Sequence, residues 1–476
     1  MFRCPNSFKV FRSSRWINIS ASTLHLRTAY LVARGSWLEL RTTNPELRTS
    51  TSSQFTIQLF RPGTFPGILG ILSIVLALVA CDDSRNSDKV TGAETTVADV
   101  EYQETAVFNP DLPPLPIEEF GQVMTLPASY PEDWVMVDEV NFFNMSAGKL
   151  IVLDIGETEP SKRIKGLVDK SFIGNFTQAK SRPEFYIVES FHERGSRGKR
   201  QDYLTVYDKR SLNVTREILW PTNRLQSLPQ RYAMAISADE KFLYVSNFNP
   251  ATSVTIVDLD SFDITDTIET PGCVLTYPSG NRGITSICSN GGLMSTVIDN
   301  QGQLVSRHRI EPFFNSDTTP IFEHAAIVDS VAYFPSFSGT MHAVDLSENV
   351  AVYRGSWDIL TGKERRKNYR PSGLALIDKD DQGLVYVIMQ PDGYEGSHQH
   401  GGNQVWVYDV KTKKRVTMIA APNHALSLAL TRGEKPKLVI TNAELNLDVI
   451  DPVSGKLIQT VTDFGQVTPL LVHQTF

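Results

Sequence analysis

One short pattern recurs seven times in this chain: an apolar, β-branched or aromatic run that ends in Asp. It occurs as Leu150–Asp154, Leu204–Asp208, Val254–Asp258, Ser295–Asp299, Met341–Asp345, Val405–Asp409 and Leu447–Asp451. Successive Asp residues are 54, 50, 41, 46, 64 and 42 positions apart. Short strands repeating with a period of about 40–50 residues are the mark of a propeller blade. An Asp at that point caps the turn into the next strand by accepting backbone N–H groups. Gly, Asn, Asp and Ser turns separate the runs, and no long segment shows helical periodicity. Seven signatures predict an all-β, seven-bladed β-propeller over residues 131–476.

The rest of the composition narrows the class. Of 476 residues, 41% are hydrophobic and 21% charged, enough apolar matter to bury a large core. The net charge of −7 is unevenly spread. Residues 1–61 hold nine Lys and Arg against Glu39 and Glu46, so the remainder carries −14. An acidic body without a basic stripe argues against a nucleic-acid partner, whose phosphates would have to be neutralised.

The N-terminal part reads as an export signal. Phe65–Ala80 is uncharged and mostly apolar, too short at 16 residues for a spanning helix but suited to a signal-peptide core. Arg61 supplies the positive flank. The run ends in Leu78-Val79-Ala80-Cys81, which resembles a bacterial lipobox with Cys81 as the lipidated first residue; cleavage at an ordinary site nearby, or a retained anchor, are the alternatives. Residues 1–60 contain no Met after Met1 and resemble no signal flank, so they are expected to be a spurious, non-functional extension. The organisation expected is that extension, a signal peptide over 61–80, a polar and Pro-rich arm over 81–130, and the propeller. Export places the protein in the periplasm, held at the membrane through Cys81. With Cys4 and Cys81 set aside, Cys273 and Cys288 remain. In an oxidising compartment they should pair, two buried free thiols being the alternative.

Catalytic constellations are scarce. The chain has no Gly-x-Ser-x-Gly, no zinc-spaced Cys/His set, no phosphate-cradling Gly-rich loop and no Cys-x-x-Cys-His. His398 and His400, in the Gly-rich loop Gly393–Gly402, could in principle hold a metal, but a solvated loop is the plainer reading. His324 and His342 lie near apolar runs and read as hydrogen-bonded core or interface residues. No catalytic residue and no metal ligand is therefore expected in this chain.

Several loops together carry a family resemblance. His192-Glu193-Arg194-Gly195-Ser196-Arg197-Gly198-Lys199-Arg200, Asn249-Pro250-Ala251-Thr252-Ser253-Val254 and the Cys273 to Cys288 stretch followed by Ser289-Asn290-Gly291-Gly292-Leu293 come first. Arg370-Pro371-Ser372-Gly373, Pro391–His398 and Val405–Asp409 continue in order. Over about 130–470 the chain resembles the heavy chains of quinoprotein amine dehydrogenases, more the aralkylamine (aromatic amine) enzymes than methylamine dehydrogenase. Ser372 departs from the pattern, which usually has a second Gly there, and the lipobox departs from the soluble state of characterised relatives.

The resemblance implies the heavy subunit of a periplasmic α2β2 enzyme. The light chain would carry tryptophan tryptophylquinone, formed from two of its own tryptophans, and would oxidise primary, aromatic amines to aldehyde and ammonia. Electrons would pass to a small azurin- or amicyanin-type copper protein. This chain would bind no cofactor itself and would wall the substrate channel. In the family a Phe shortly before the first Asp-terminated strand limits substrate size; counting back from Asp154 it matches Phe142, with Phe143 one position away. An ordinary core Phe is the competing account. The alternative function is a lipid-anchored, non-enzymatic propeller that binds a surface or periplasmic partner. Leu243-Tyr244-Val245-Ser246-Asn247 resembles a repeat of surface-layer propellers, but it occurs once. A haem- or PQQ-dependent propeller enzyme is the third possibility, and the absent haem motif counts against it.

Overall fold

A computed structural model describes residues 125–476, apart from 143, 144, 146, 222, 226–229, 250 and 466, together with five short strands between Ser7 and Ile57. The chain divides into two units, Met1–Leu115 and Pro116–Phe476. In the first, Ser7–Arg12 pairs with Arg15–Ser20, and Ala29–Ala33, Ser36–Arg41 and Thr56–Ile57 form a second antiparallel set. The signal peptide, the lipobox at Leu78–Cys81 and nearly all of the Pro-rich arm lie outside the described residues.

The second unit is an all-β propeller. Its first blade is closed by the end of the chain: Thr468–Gln474 pairs with Trp134–Val140, which pairs with Ala147–Asp154 and then Ile164–Ser171. The contact Val472↔Val137 sets that register, and both residues are buried with Val135 of the same blade and with Val439 and Leu447 of the neighbouring sheet. Four more blades follow in chain order, over Asn175–Leu219, Asn223–Glu269, Cys273–Ile310 and Ala326–Asp358. Each is a meander of four or five antiparallel strands.

The count of seven blades is corrected here: the structure has five discrete blades. The two remaining Asp signatures, at Asp409 and Asp451, fall in one continuous eight-stranded sheet running from Arg370 to Val461. The cause is the strand Lys414–Leu430, 17 residues long. Its first part pairs with Gly402–Asp409 and its second with Leu438–Asn442, the register shifting after Ala425. Backbone pairing carries straight through a place where the repeat predicts a break. The sequence pattern counts turns, and a turn count is not a sheet count.

The turns themselves are as the pattern predicts. All seven Asp side chains accept the backbone N–H two residues ahead, from Asp154 (Gly156, 3.0 Å) through Asp208 (Arg210, 3.1 Å) and Asp258 (Asp260, 2.8 Å) to Asp451 (Val453, 2.9 Å). Asp299, Asp345 and Asp409 do the same at 2.9 Å. Hydrogen bonds from Ser347, with help from Arg354, hold the Asp345 carboxyl down at about 2. Because each Asp ends the third strand of its repeat, the seven Asp turns lie at one end of the strands. Second-to-third strand turns and the links between sheets lie at the other, forming a loop face.

Candidate functional site

The His192–Arg200, Ser289–Gly292, Arg370–Gly373 and Pro391–His398 loops that carried the resemblance belong to the loop face, whereas Val405–Asp409 is a strand ending at one of the Asp turns. Phe142 stands in the turn after Trp134–Val140 and is 42% exposed. Its ring meets Phe172, in the link to the second blade, edge-on at 5.5 Å. Phe172 lines a small concavity with Met145, Ser171, Ile173, Ser190, His192 and Gly195. Two separate sequence expectations, Phe142 and the His192–Arg200 loop, are thus brought together through a residue that sequence reasoning passed over. Phe143 lies outside the described residues, as does Cys81.

Beneath this concavity runs a chain of buried charges. Lys170 Nζ is 2.9 Å from Asp138, with both side chains essentially sealed from solvent. Glu189 accepts hydrogen bonds from the Ser171 N–H (2.9 Å) and the Thr205 hydroxyl (2.6 Å). Burial pushes both carboxyls upward, against the charge of Lys170. Arg224 donates to Ser190 Oγ at 2.9 Å, and Arg200 makes a two-pronged pair with Asp202, 2.6 Å at each prong. Burial lowers the Arg224 guanidinium to about 10, so it stays charged at neutral pH. These bonds anchor the base of the His192–Arg200 hairpin to the first and third blades.

A second group of loops is clasped across the face. Ser372 Oγ donates to the Ser397 carbonyl (2.7 Å) and accepts the Gly401 N–H (3.0 Å), while the Gly373 N–H reaches the His398 carbonyl (2.9 Å). The serine that departs from the family pattern therefore stitches Arg370–Gly373 to Pro391–Gly401. Gly373 has φ +144° and an added Cβ would fall 2.7 Å from the Leu426 carbonyl, so glycine is required there.

Between these groups, the mouth of the central channel is lined by Gln230, Phe322, Glu323, His324, Gly373, Leu374, His398, Gln399 and Leu470. Arg231 crosses below it. Its guanidinium donates to the carbonyls of Leu428 (2.9 Å), Val472 (3.1 Å) and Ile377 (3.4 Å), and Asp378 lies 3.4 Å away. Burial, reinforced by the Arg231 charge, drives His324 down to about 3 and His473 well below its usual value.

The described histidines have separate surroundings. His398 edges against Phe337 at 6.0 Å, His400 pairs with the Tyr394 hydroxyl at 3.4 Å, and His342 Nδ1 pairs with the Tyr353 hydroxyl at 3.1 Å. His324 is buried, but its Nδ1 has no hydrogen-bond partner among the described residues. Among those residues no three His, Cys, Asp or Glu side chains converge on one point. Trp134, Trp220, Trp357 and Trp406 sit in or beside four different sheets. Cys273 and Cys288 are joined by a disulfide across directly paired strand positions.

The fold is a propeller whose loop face presents apolar and charged side chains. The comparisons give it a family. A family model described as methylamine dehydrogenase heavy chain matches residues 134–474. The chain is 23% identical over 314 residues to the methylamine dehydrogenase heavy chain of Methylophilus methylotrophus, covering 65% of this chain and 77% of that one. It is 24% identical over 307 residues to that of Methylorubrum extorquens, covering 64% and 74%. Among solved structures, a putative 6-phosphogluconolactonase from Bacteroides fragilis is 11% identical, covers 71% of this chain and 97% of that one, and has a TM-score of 0.48. This chain belongs to the methylamine dehydrogenase heavy chain family.

Proposed function

We propose that this chain is the non-catalytic heavy subunit of a periplasmic, membrane-anchored quinoprotein amine dehydrogenase that acts on primary aromatic amines. The observation that carries the reading is the loop face. Phe142, Met145, Phe191, Phe248, Tyr394 and Leu445 are all exposed large apolar residues, and all belong to that face. Exposed apolar side chains at the tips of these loops suit a protein partner, since apolar surface left in water costs about 25 cal/mol per Å².

In this reading the partner is a light chain carrying tryptophan tryptophylquinone, the pair assembling as an α2β2 heterotetramer. The quinone supplies the oxidising chemistry: amine and water become aldehyde and ammonia, with two protons and two electrons released. This chain's part is to position and exclude. Phe142, held edge-on by Phe172, narrows the way to the partner, and its ring offers an aryl side chain a stacking surface. The electrons leave one at a time to an azurin- or amicyanin-type copper protein. Lipidation at Cys81 would tether the assembly, and the exported protein should then fractionate with membranes unless Cys81 is changed to Ala.

The deciding experiment is co-expression with and without a quinone-bearing light chain. The chain alone should be colourless and inactive. With the partner, amine should bleach the quinone absorbance and release aldehyde. An isolated chain that oxidises amines by itself, or one that never forms a complex, would overturn the reading in favour of a non-enzymatic anchored propeller.

A further inference from the structure

The tip of the Glu184–Asp208 hairpin is a concentrated basic feature of the loop face. Strands Glu184–Arg194 and Arg197–Asp208 are 11 and 12 residues long, whereas the flanking Asn175–Gln178 and Val214–Leu219 have 4 and 6. Pairing to the flanking strands ends at Val188 and Tyr203, while the two long strands stay paired as far as Arg194↔Arg197. The tip therefore stands beyond its own sheet. A register shift at His192/Arg194 lets the Glu193 carboxylate accept the Lys199 N–H at 3.2 Å, which stiffens it.

The tip's charge is largely uncommitted. Arg200 is held by Asp202, and Arg194 lies 3.9 Å from Glu193. Arg197 and Lys199 are exposed and have no ion-pair partner among the described residues. A second basic cluster, Lys363, Arg366 and Lys367, is exposed on and just after the short helix Gly362–Arg366, also on the loop face. The propeller that presents these clusters is itself mildly acidic, residues 131–476 carrying −6. A basic tip on such a body attracts an acidic protein and gives its approach a direction.

Permanent interfaces deplete charge at their centres, whereas exposed, unpaired Arg and Lys suit brief, salt-sensitive encounters. We infer that the basic tip of the Glu184–Asp208 hairpin is the landing site of an acidic electron-accepting protein. This rests on the function proposed above. Each encounter moves one electron from the reduced quinone subunit to the carrier's Cu(II), giving Cu(I), so two encounters complete one amine oxidation.

The test uses the assembled holoenzyme, reduced with amine and mixed in a stopped-flow instrument with two azurin-type copper proteins, one of net negative and one of net positive charge. At low salt the negative carrier should react faster, and added NaCl should erase the difference. Arg194→Gln/Arg197→Gln/Lys199→Gln should slow the negative carrier about tenfold or more at low salt and flatten its salt dependence. The amine half-reaction should be unchanged. Should the triple variant assemble poorly, Lys199→Glu alone gives the same readout. A variant that keeps the wild-type rate and salt slope, or a wild type that prefers the positive carrier, overturns the inference. Failure of the amine half-reaction in the wild-type assembly would instead overturn the proposed function.

Discussion

The ring of Phe142 meets that of Phe172 edge-on, with 5.5 Å between their centroids. Phe142 lies in a turn within the first blade and Phe172 in the link to the second, so one aromatic contact spans two blades at the loop face. Phe172 is buried while Phe142 is exposed, which makes the first the support and the second the presented surface.

Replacing Phe142 by Ala in the assembled enzyme should widen the passage and shift kcat/KM toward bulkier amines by about 1–3 kcal/mol, outweighing the smaller loss of ring stacking. Phe172→Ala, which removes the support, should shift selectivity the same way. Steady-state kinetics with a small and an aryl amine read the ratio. If Phe143→Ala changes it and Phe142→Ala does not, the assignment is one residue off.

Arg231 ties three inner strands, through Ile377, Leu428 and Val472, from the turn before Met234–Ile236 in the third blade. Arg231→Met should strand those carbonyls and Asp378, lowering stability by about 2–4 kcal/mol in urea denaturation. Arg231→Lys should recover only part of that loss, because an ammonium group cannot span the fork of acceptors. A variant with an unchanged midpoint would show that the channel strut is dispensable.

Joining Cys273 to Cys288 closes a loop with a sequence separation of 15, worth about 3 kcal/mol on chain-entropy grounds. Cys273→Ala/Cys288→Ala should lower the unfolding midpoint accordingly, and wild type under reductant should approach the variant. Mass mapping of the non-reduced protein should find the linked peptides; free, alkylatable thiols at both positions would count against the bond.

His324 should make the protein acid-labile. Burial first, and the Arg231 charge second, lower its folded-state pKa to about 3, below the unfolded value of about 6.5. Between those values the unfolded chain binds the proton and the folded one does not, so stability falls as pH drops from about 6.5 to about 3. The loss is about 1.4 kcal/mol per pH unit within the window for one such imidazole. His473, shifted the same way, adds to it. His324→Gln should flatten the slope of stability against pH, and a slope identical to wild type would exclude this histidine as a source.

Much of the architecture was legible in the chain because its determinants are local. An Asp that caps its own turn needs only the residues two or three ahead, and all seven do so. The apolar run that buries Val135, Met136 and Val137 is likewise a property of one strand. Less of the candidate site was legible. Phe142 could be found by counting from Asp154, but its partner Phe172 is 30 residues away and carries no motif. Ser372 read as a departure, yet its hydroxyl reaches Ser397 and Gly401. Arg231 sits in an unremarkable segment and acts on carbonyls some 150–240 residues distant, which leave no trace in side-chain identity.

The sequence by itself determined the strand-rich class, the recurring turns and the family, since each is written in short-range spacing. The division into sheets belonged to the tertiary structure. Whether the chain breaks or runs on between two turns depends on what strands lie alongside, and the strand Lys414–Leu430 had neighbours to pair with along most of its length. Tertiary structure alone also gathered Phe142, Phe172 and the basic hairpin on one face. Closing a propeller brings distant turns to the same end of their strands, and no local pattern encodes which end that will be.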